Sequence, residues 1–158
     1  MSKTSKTYRK GAIGALTDEY EKALDELKIV LLAIDDSQFI KINDSNVDED
    51  FQSVRNIVLH MVRSGYAYAN YIRKSFNEER VIPEIKFQTV KDAIYNLDKM
   101  FGYTIETFEN KWLMTDDEMM ATIIKTSWTT YDLEAIIEHA IVHILRHRLQ
   151  IQKAIAKF

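Results

Sequence analysis

Three of the four histidines in this chain fall at four-residue intervals in one stretch, as His139, His143 and His147 between Glu138 and Gln150. Residues four apart stack on one face of an α-helix, so two such imidazoles can be directed at a single ion. The fourth histidine, His60, lies far upstream in another helical pattern, from which it could close a site across a bundle. Three histidine nitrogens leave room on a metal for water or substrate, the open arrangement of catalytic metal sites. There is no cysteine, which removes thiolate nucleophiles, disulfides and Cys-rich zinc sites together. Nor is there a Gly-x-Ser-x-Gly turn to expose a serine nucleophile, so any catalysis would fall to a metal held by histidine, carboxylate or water.

The helix that carries the three histidines is predicted to start near Thr130 or Asp132 and to run almost to Phe158, with Leu133, Ile137, Ile141, Ile144, Ile151 and Ile155 as its apolar set. With Ile137 at the middle of the buried sector, His147 lies about 80° away, His143 about 120° and His139 about 160°. His143 and His147 can therefore look along an interhelical cleft, while His139 is expected to face water. The angles leave two alternatives open: His139 and His143 as the ligating pair, or histidines that are simply hydrogen-bonded structural residues. Arg148 falls near the centre of the apolar sector and must find a partner, because an unpaired buried guanidinium is costly. Asp25, Asp98 and Glu106 are candidate carboxylates, and an anionic substrate group is the functional alternative. Gln150 lies on the side of His143, either supporting the site or solvated.

Three further amphipathic stretches precede this one. Ile13, Leu16, Tyr20, Leu24, Leu27, Leu31 and Ile34 define a helix from about Gly11 to Ile34, followed by a polar connection over 38–50. Ser53 reads as the N-cap of a second helix reaching about Asn77, with Phe51 packing just outside it and Val54, Ile57, Met61, Gly65, Tyr68 and Ile72 as its stripe. His60 lies on the flank of that stripe. Tyr66, Tyr68 and Tyr71 on this helix are core residues or cleft-lining proton donors. A loop holding the lone proline, Pro83, leads to Thr89, whose spacing from Asp92 suggests a capping box for a third helix through Trp112. Residues 113–131 are less periodic. Thr115 and Glu118 can cap one short turn, and Thr122 to Thr130 is β-branched enough to be extended.

At 158 residues the chain fits one domain over 1–158, its first ten residues frayed, with 46% apolar and 28% charged residues, as in ordinary globular proteins. One proline and four glycines favour long uninterrupted elements. The expected architecture is an all-α, up-down four-helix bundle with a longer irregular connection before the last helix. The formal net charge of −3, with acids and bases interspersed, gives no basic face for nucleic acid. No apolar run reaches membrane-span length, and Met1 to Lys10 lacks the apolar segment of a secretory signal, so a soluble cytoplasmic protein is expected.

His143-x-x-x-His147-Arg148-x-Gln150 near the C-terminus, with Ser53 seven residues before His60, resembles the DinB/YfiT-like superfamily of metal-binding four-helix bundles. The helix order matches over essentially the whole chain. The resemblance implies a divalent metal, most often nickel or zinc, held by His60, His143 and His147 with waters completing its shell. It also implies a small-molecule substrate or low-molecular-weight thiol such as bacillithiol or mycothiol, and a homodimer. Metal-dependent thiol transfer or hydrolysis is the expected activity, the ion lowering the pKa of a water or thiol. Where bacillithiol-transferase-like members carry an Asp-Ser-His run, this chain has Met61-Val62-Arg63-Ser64, and Leu149 stands where glycine is common. The alternative is a non-enzymatic dimeric bundle with a stress-related binding role, its histidines structural.

Overall fold

The computed structural model describes residues 6–43 and 45–158. Four long helices, α1 (Gly11–Leu32), α3 (Val54–Ser75), α4 (Val90–Thr107) and α6 (Leu133–Ile155), form the bundle. Three of them start at caps that the sequence announces. Ser53 Oγ accepts the Asn56 N–H at 3.0 Å, Thr89 Oγ1 that of Asp92 at 3.1 Å, and Asp132 Oδ1 that of Ala135 at 2.8 Å. At Thr89 the cap is one-sided, as the short Asp92 side chain does not return the bond. The expected fraying of residues 1–10 lies in part outside the described residues. Within them Arg9 is tied down, its backbone N–H and guanidinium both donating to the Asp18 carboxylate at 2.9 and 2.6 Å.

Two expectations about where elements begin and end need correction. The stretch read as a polar connection contains a short helix, α2 (Asp36–Ile40), started by a capping box between Asp35 and Gln38, and a 3₁₀ turn at Glu49–Phe51. The third long helix stops at Thr107, short of Trp112, and the chain leaves through turns in which Asn110 takes a left-handed conformation at φ 66°. The irregular connection before α6 follows the sequence more closely. It holds α5 (Asp116–Met120), opened by a Thr115/Glu118 capping box, then a small antiparallel hairpin of β1 (Ile124–Lys125) and β2 (Thr130–Tyr131).

Each long helix packs on two neighbours: α1 on α4 and α6, α3 on α4 and α6. Pairing along the helices gives their directions. His60 on α3 meets His143 on α6 while Tyr68 meets His139, so these two are antiparallel. Arg55 reaches Gln88 at the foot of α4, and Arg73 reaches Thr107 at its end, so α3 and α4 are parallel. The all-α bundle thus runs up, down, down, up, in place of the alternating up-down course expected. Returning to the start of α4 requires travelling back along α3, about 33 Å for 22 residues. Residues 76–89 can extend to about 46 Å, enough for that return. They lie along the bundle as a strap, with Ile85 and Phe87 buried.

The core is one continuous cluster in which Leu27, Leu31, Val58, Met61, Leu97, Met100 and Ile136 are fully enclosed. At Gly65 the Met100 side chain of α4 presses against the α3 backbone, since a Cβ there would fall inside contact distance of Met100 Sδ and Cγ. Gly102, on α4, has open space around the same position. Gly102→Ala should therefore raise stability by about 0.5–1 kcal/mol through helix propensity. Gly65→Ala should lower it by about 1–3 kcal/mol despite the same propensity gain, because the fully buried Met100 thioether must be displaced to admit the methyl group. Urea unfolding of the two variants beside the parent checks both signs.

Candidate metal centre

His60 stands one residue before the buried Met61 and Val62 of α3, at the rim of the core, with its side chain 27% exposed. Across the seam, α6 buries His143 and His147 beside Ala140, Ile144 and Ile151. The three rings converge. His143 Nε2 lies 3.1 Å from His60 Nε2 and 3.1 Å from His147 Nε2. Among the described residues, these three form the group whose donor atoms lie close enough together, within 4.8 Å, to hold a metal ion.

The donor chemistry fits an ion. A ring nitrogen has either one proton or one lone pair, so His143 Nε2 cannot make a linear hydrogen bond to both neighbours at once. Gln150 Oε1 accepts from His147 Nδ1 at 2.8 Å, which puts that ring's proton on Nδ1 and leaves Nε2 with a lone pair. Asp50 Oδ2 stands 3.6 Å from His60 Nδ1 and favours the same tautomer there. With metal–nitrogen bonds of about 2.0–2.1 Å, two ligands subtending about 90–110° stand about 2.9–3.4 Å apart. The observed 3.1 Å spacings fall in that window.

The surroundings favour the neutral form of the two α6 imidazoles. Burial pushes His143 down to about 3, reinforced by the neighbouring His147, His60 and His139 rings and by Arg146. Burial also lowers His147, more than its bond to Gln150 raises it. Phe51 covers one side, stacked on His147 at 5.6 Å between centroids and edge-on to His60 at 5.4 Å. Tyr68 meets His143 edge-on at 5.6 Å.

His139 does not join the group and does not face water as its helical angle suggests. It is half-buried under the hairpin, packed on Tyr68, Trp128 and Tyr131. Trp128 Nε1 donates to Tyr131 Oη at 3.0 Å, which leaves the tyrosine proton for His139 Nδ1 at 3.3 Å. Arg148 is half-buried, and its partner is Glu26 on α1 rather than Asp25, Asp98 or Glu106. Tyr66 packs on Tyr103 and Tyr71 on Trp128, away from the converging nitrogens. Sequence reasoning missed Asp50 and the stacking of Phe51. Their signal was limited to a position one turn ahead of the Ser53 cap.

A family model matches residues 4–157, and its family is DinB. The chain belongs to the DinB family. Among solved structures, a DinB-like protein of Bacillus subtilis is similar at a TM-score of 0.62 and 14% identity, covering 90% of this chain and 91% of the other. A conserved protein of Enterococcus faecalis is similar at 0.56 and 11% identity, covering 92% and 95%. At such identities the likeness is one of DinB fold. No curated protein matches the chain.

The buried neutral state of His143 has a consequence for the metal-free protein. Its folded value lies below the ordinary imidazole value of 6.5, so on acidification the unfolded chain takes up the proton first. That stabilising contribution is complete above pH 6.5 and is lost progressively as pH falls from there toward about 3. The urea midpoint of chelator-treated protein should therefore drop between pH 7 and about 4.5, and His143→Gln should flatten part of the drop. An identical slope in that variant would assign the acid sensitivity to other groups.

Proposed function

We propose that this DinB-family protein binds a divalent metal through His60, His143 and His147 and uses it to transform a small molecule, as a thiol transferase or hydrolase. The observation that carries the reading is the convergence of three Nε2 atoms around His143, with the Nδ1 partners of His60 and His147 turning their lone pairs inward. Imidazole donors without thiolate suit nickel or zinc, and three of them leave positions open. When bound, the ion would supply Lewis acidity toward a water or a thiol.

The protein's own contribution is orientation and exclusion. Gln150 holds the outer nitrogen of His147, fixing its tautomer and ring angle, and Asp50 stands 3.6 Å from that of His60, biasing its tautomer the same way. Phe51 and Tyr68 wall the group with apolar ring surface, which restricts water and lowers the local dielectric. His139 serves the hairpin through Tyr131 and has no part in ligation.

Elemental analysis of protein purified without a histidine tag tests the proposal. One metal per chain is expected, lost in His143→Ala and kept in His139→Ala. A parent protein that neither carries nickel or zinc nor takes them up when they are supplied would overturn it. Asp50→Asn and Gln150→Ala should each retain the site but weaken it by about 10–100-fold in competition against a chromogenic chelator. For the catalytic part, turnover of electrophilic acceptors with low-molecular-weight thiols, or with water alone, should disappear on chelation and return when metal is restored.

A further inference from the structure

A second concave site lies along the outer face of α3, under the strap that returns to α4. It encloses about 280 Å³, at the small end of ligand pockets, which start near about 300 Å³. Its walls are apolar and partly flat: Tyr66 and Tyr71 from the helix, Pro83 and Ile85 from the strap. Ile82 stands at its lip with 90% of its surface exposed.

Three cations surround this groove, and no carboxylate is among its lining residues. Arg63 is at one end, and Lys74 lies about 16 Å further along the helix axis. Arg80, at the start of the strap, joins them. Among the described residues, none of the three takes part in an ion pair or a side-chain hydrogen bond. Of the carboxylates nearby, Glu78 pairs with Lys111, Glu84 with Lys86 and Glu106 with Arg73, while Glu79, next to Arg80 in the chain, is exposed and does not line the groove. A chain of net charge −3 thus gathers three cations, and no carboxylate, in the lining of one apolar recess.

The recess is also fixed in shape. Both backbone groups of Val81 are held: its N–H donates to Tyr103 Oη at 2.9 Å, and its carbonyl accepts from Asn70 Nδ2 at 2.8 Å. Tyr103 Oη in turn donates to Asn70 Oδ1 at 2.7 Å, closing the set. Arg73 adds a bond to the Glu79 carbonyl at 3.2 Å. A site held open this way spends little on ordering when a ligand enters.

From this we infer that the groove between α3 and the strap binds a small organic anion with a flat apolar body, of the aryl-carboxylate class. The body lies between the tyrosines and Pro83, covering Ile82, and the carboxylate meets Lys74 and Arg80. Charge-assisted hydrogen bonds to a carboxylate give selectivity over an uncharged analogue of the same shape. The inference does not depend on the metal reading, because none of the three histidines lines the groove.

The test uses the full chain with chelator present, and 2-naphthoate as probe beside the uncharged 2-naphthalenemethanol. Calorimetry should show naphthoate binding at least about 10-fold tighter than the alcohol at low salt, with the margin shrinking as salt rises. Amide shifts in the NMR spectrum should cluster at residues 63–85. A Lys74→Gln/Arg80→Gln double variant, altered only at exposed side chains, should keep its fold, keep its weak affinity for the alcohol and lose the preference for the acid. Equal binding of acid and alcohol, a preference that survives in the double variant, shifts centred on the three histidines, or no binding at millimolar naphthoate would each overturn the inference.

Discussion

An imidazole nitrogen can offer one lone pair or one proton in its ring plane, never both. That limit governs the seam between α3 and α6. His143 Nε2 faces two other Nε2 atoms at 3.1 Å, so in the absence of a shared cation its one proton or lone pair can align with only one of them and the two contacts compete. A packed interior normally removes such a conflict by rotating a ring or substituting a residue. Here the surroundings maintain it. Gln150 holds His147, Asp50 stands behind His60, Phe51 stacks over one ring, and burial keeps His143 neutral. Local packing that preserves this competition between donor nitrogens is what a preformed cation site requires, since ligand ordering is then complete before the ion arrives.

The architecture supplies the register that this needs. Because α3 and α6 are antiparallel, the flank of the one that carries His60 crosses the face of the other at the His143 to His147 turn. The deeper layers fix the separation of these helices. Gly65, about one and a half turns beyond the histidine on α3, lets Met100 of α4 press in, and the small Ala140 is buried on α6. Arg148 with Glu26 ties α6 to α1 one residue beyond His147. The histidines therefore sit at a helix crossing defined on three sides by contacts other than their own.

Much of this was legible in the sequence where the cause is local. Ser53, Thr89 and Asp132 announce helix starts because a cap acts within four residues. The apolar periods place His143 and His147 at the edge of a buried sector by angle alone. Other features depend on distant parts of the chain and escaped that reading. His139 lies about 160° from the sector centre and reads as solvated, yet a hairpin donated by residues 124–131 covers it. The partner of Arg148 is Glu26 rather than Asp25, a difference of one residue that is about 100° around α1 and depends on interhelical register. The end of α4 at Thr107 reflects a left-handed Asn110, which apolar spacing through Trp112 conceals.

The least legible feature, the parallel course of α3 and α4, also has the widest structural consequence. An antiparallel pair would need only a tight turn, and the outer face of α3 would be left bare. A parallel pair obliges the chain to travel the length of the bundle, and a strap of that length must satisfy its own backbone groups somewhere. Asn70 and Tyr103 provide that at Val81, and Ile85 and Phe87 anchor the far end in the core. Between those two anchor points the strap stands off the helix, and the space it leaves is the groove. One 22-residue helix thereby carries three assignments around its circumference. Val58, Met61 and Gly65 belong to the core, His60 to the seam with α6, and Tyr66 and Asn70 to the floor beneath the strap. The same topological choice that brings α3 beside α4 thus separates a polar seam from an amphipathic recess on neighbouring faces of one element.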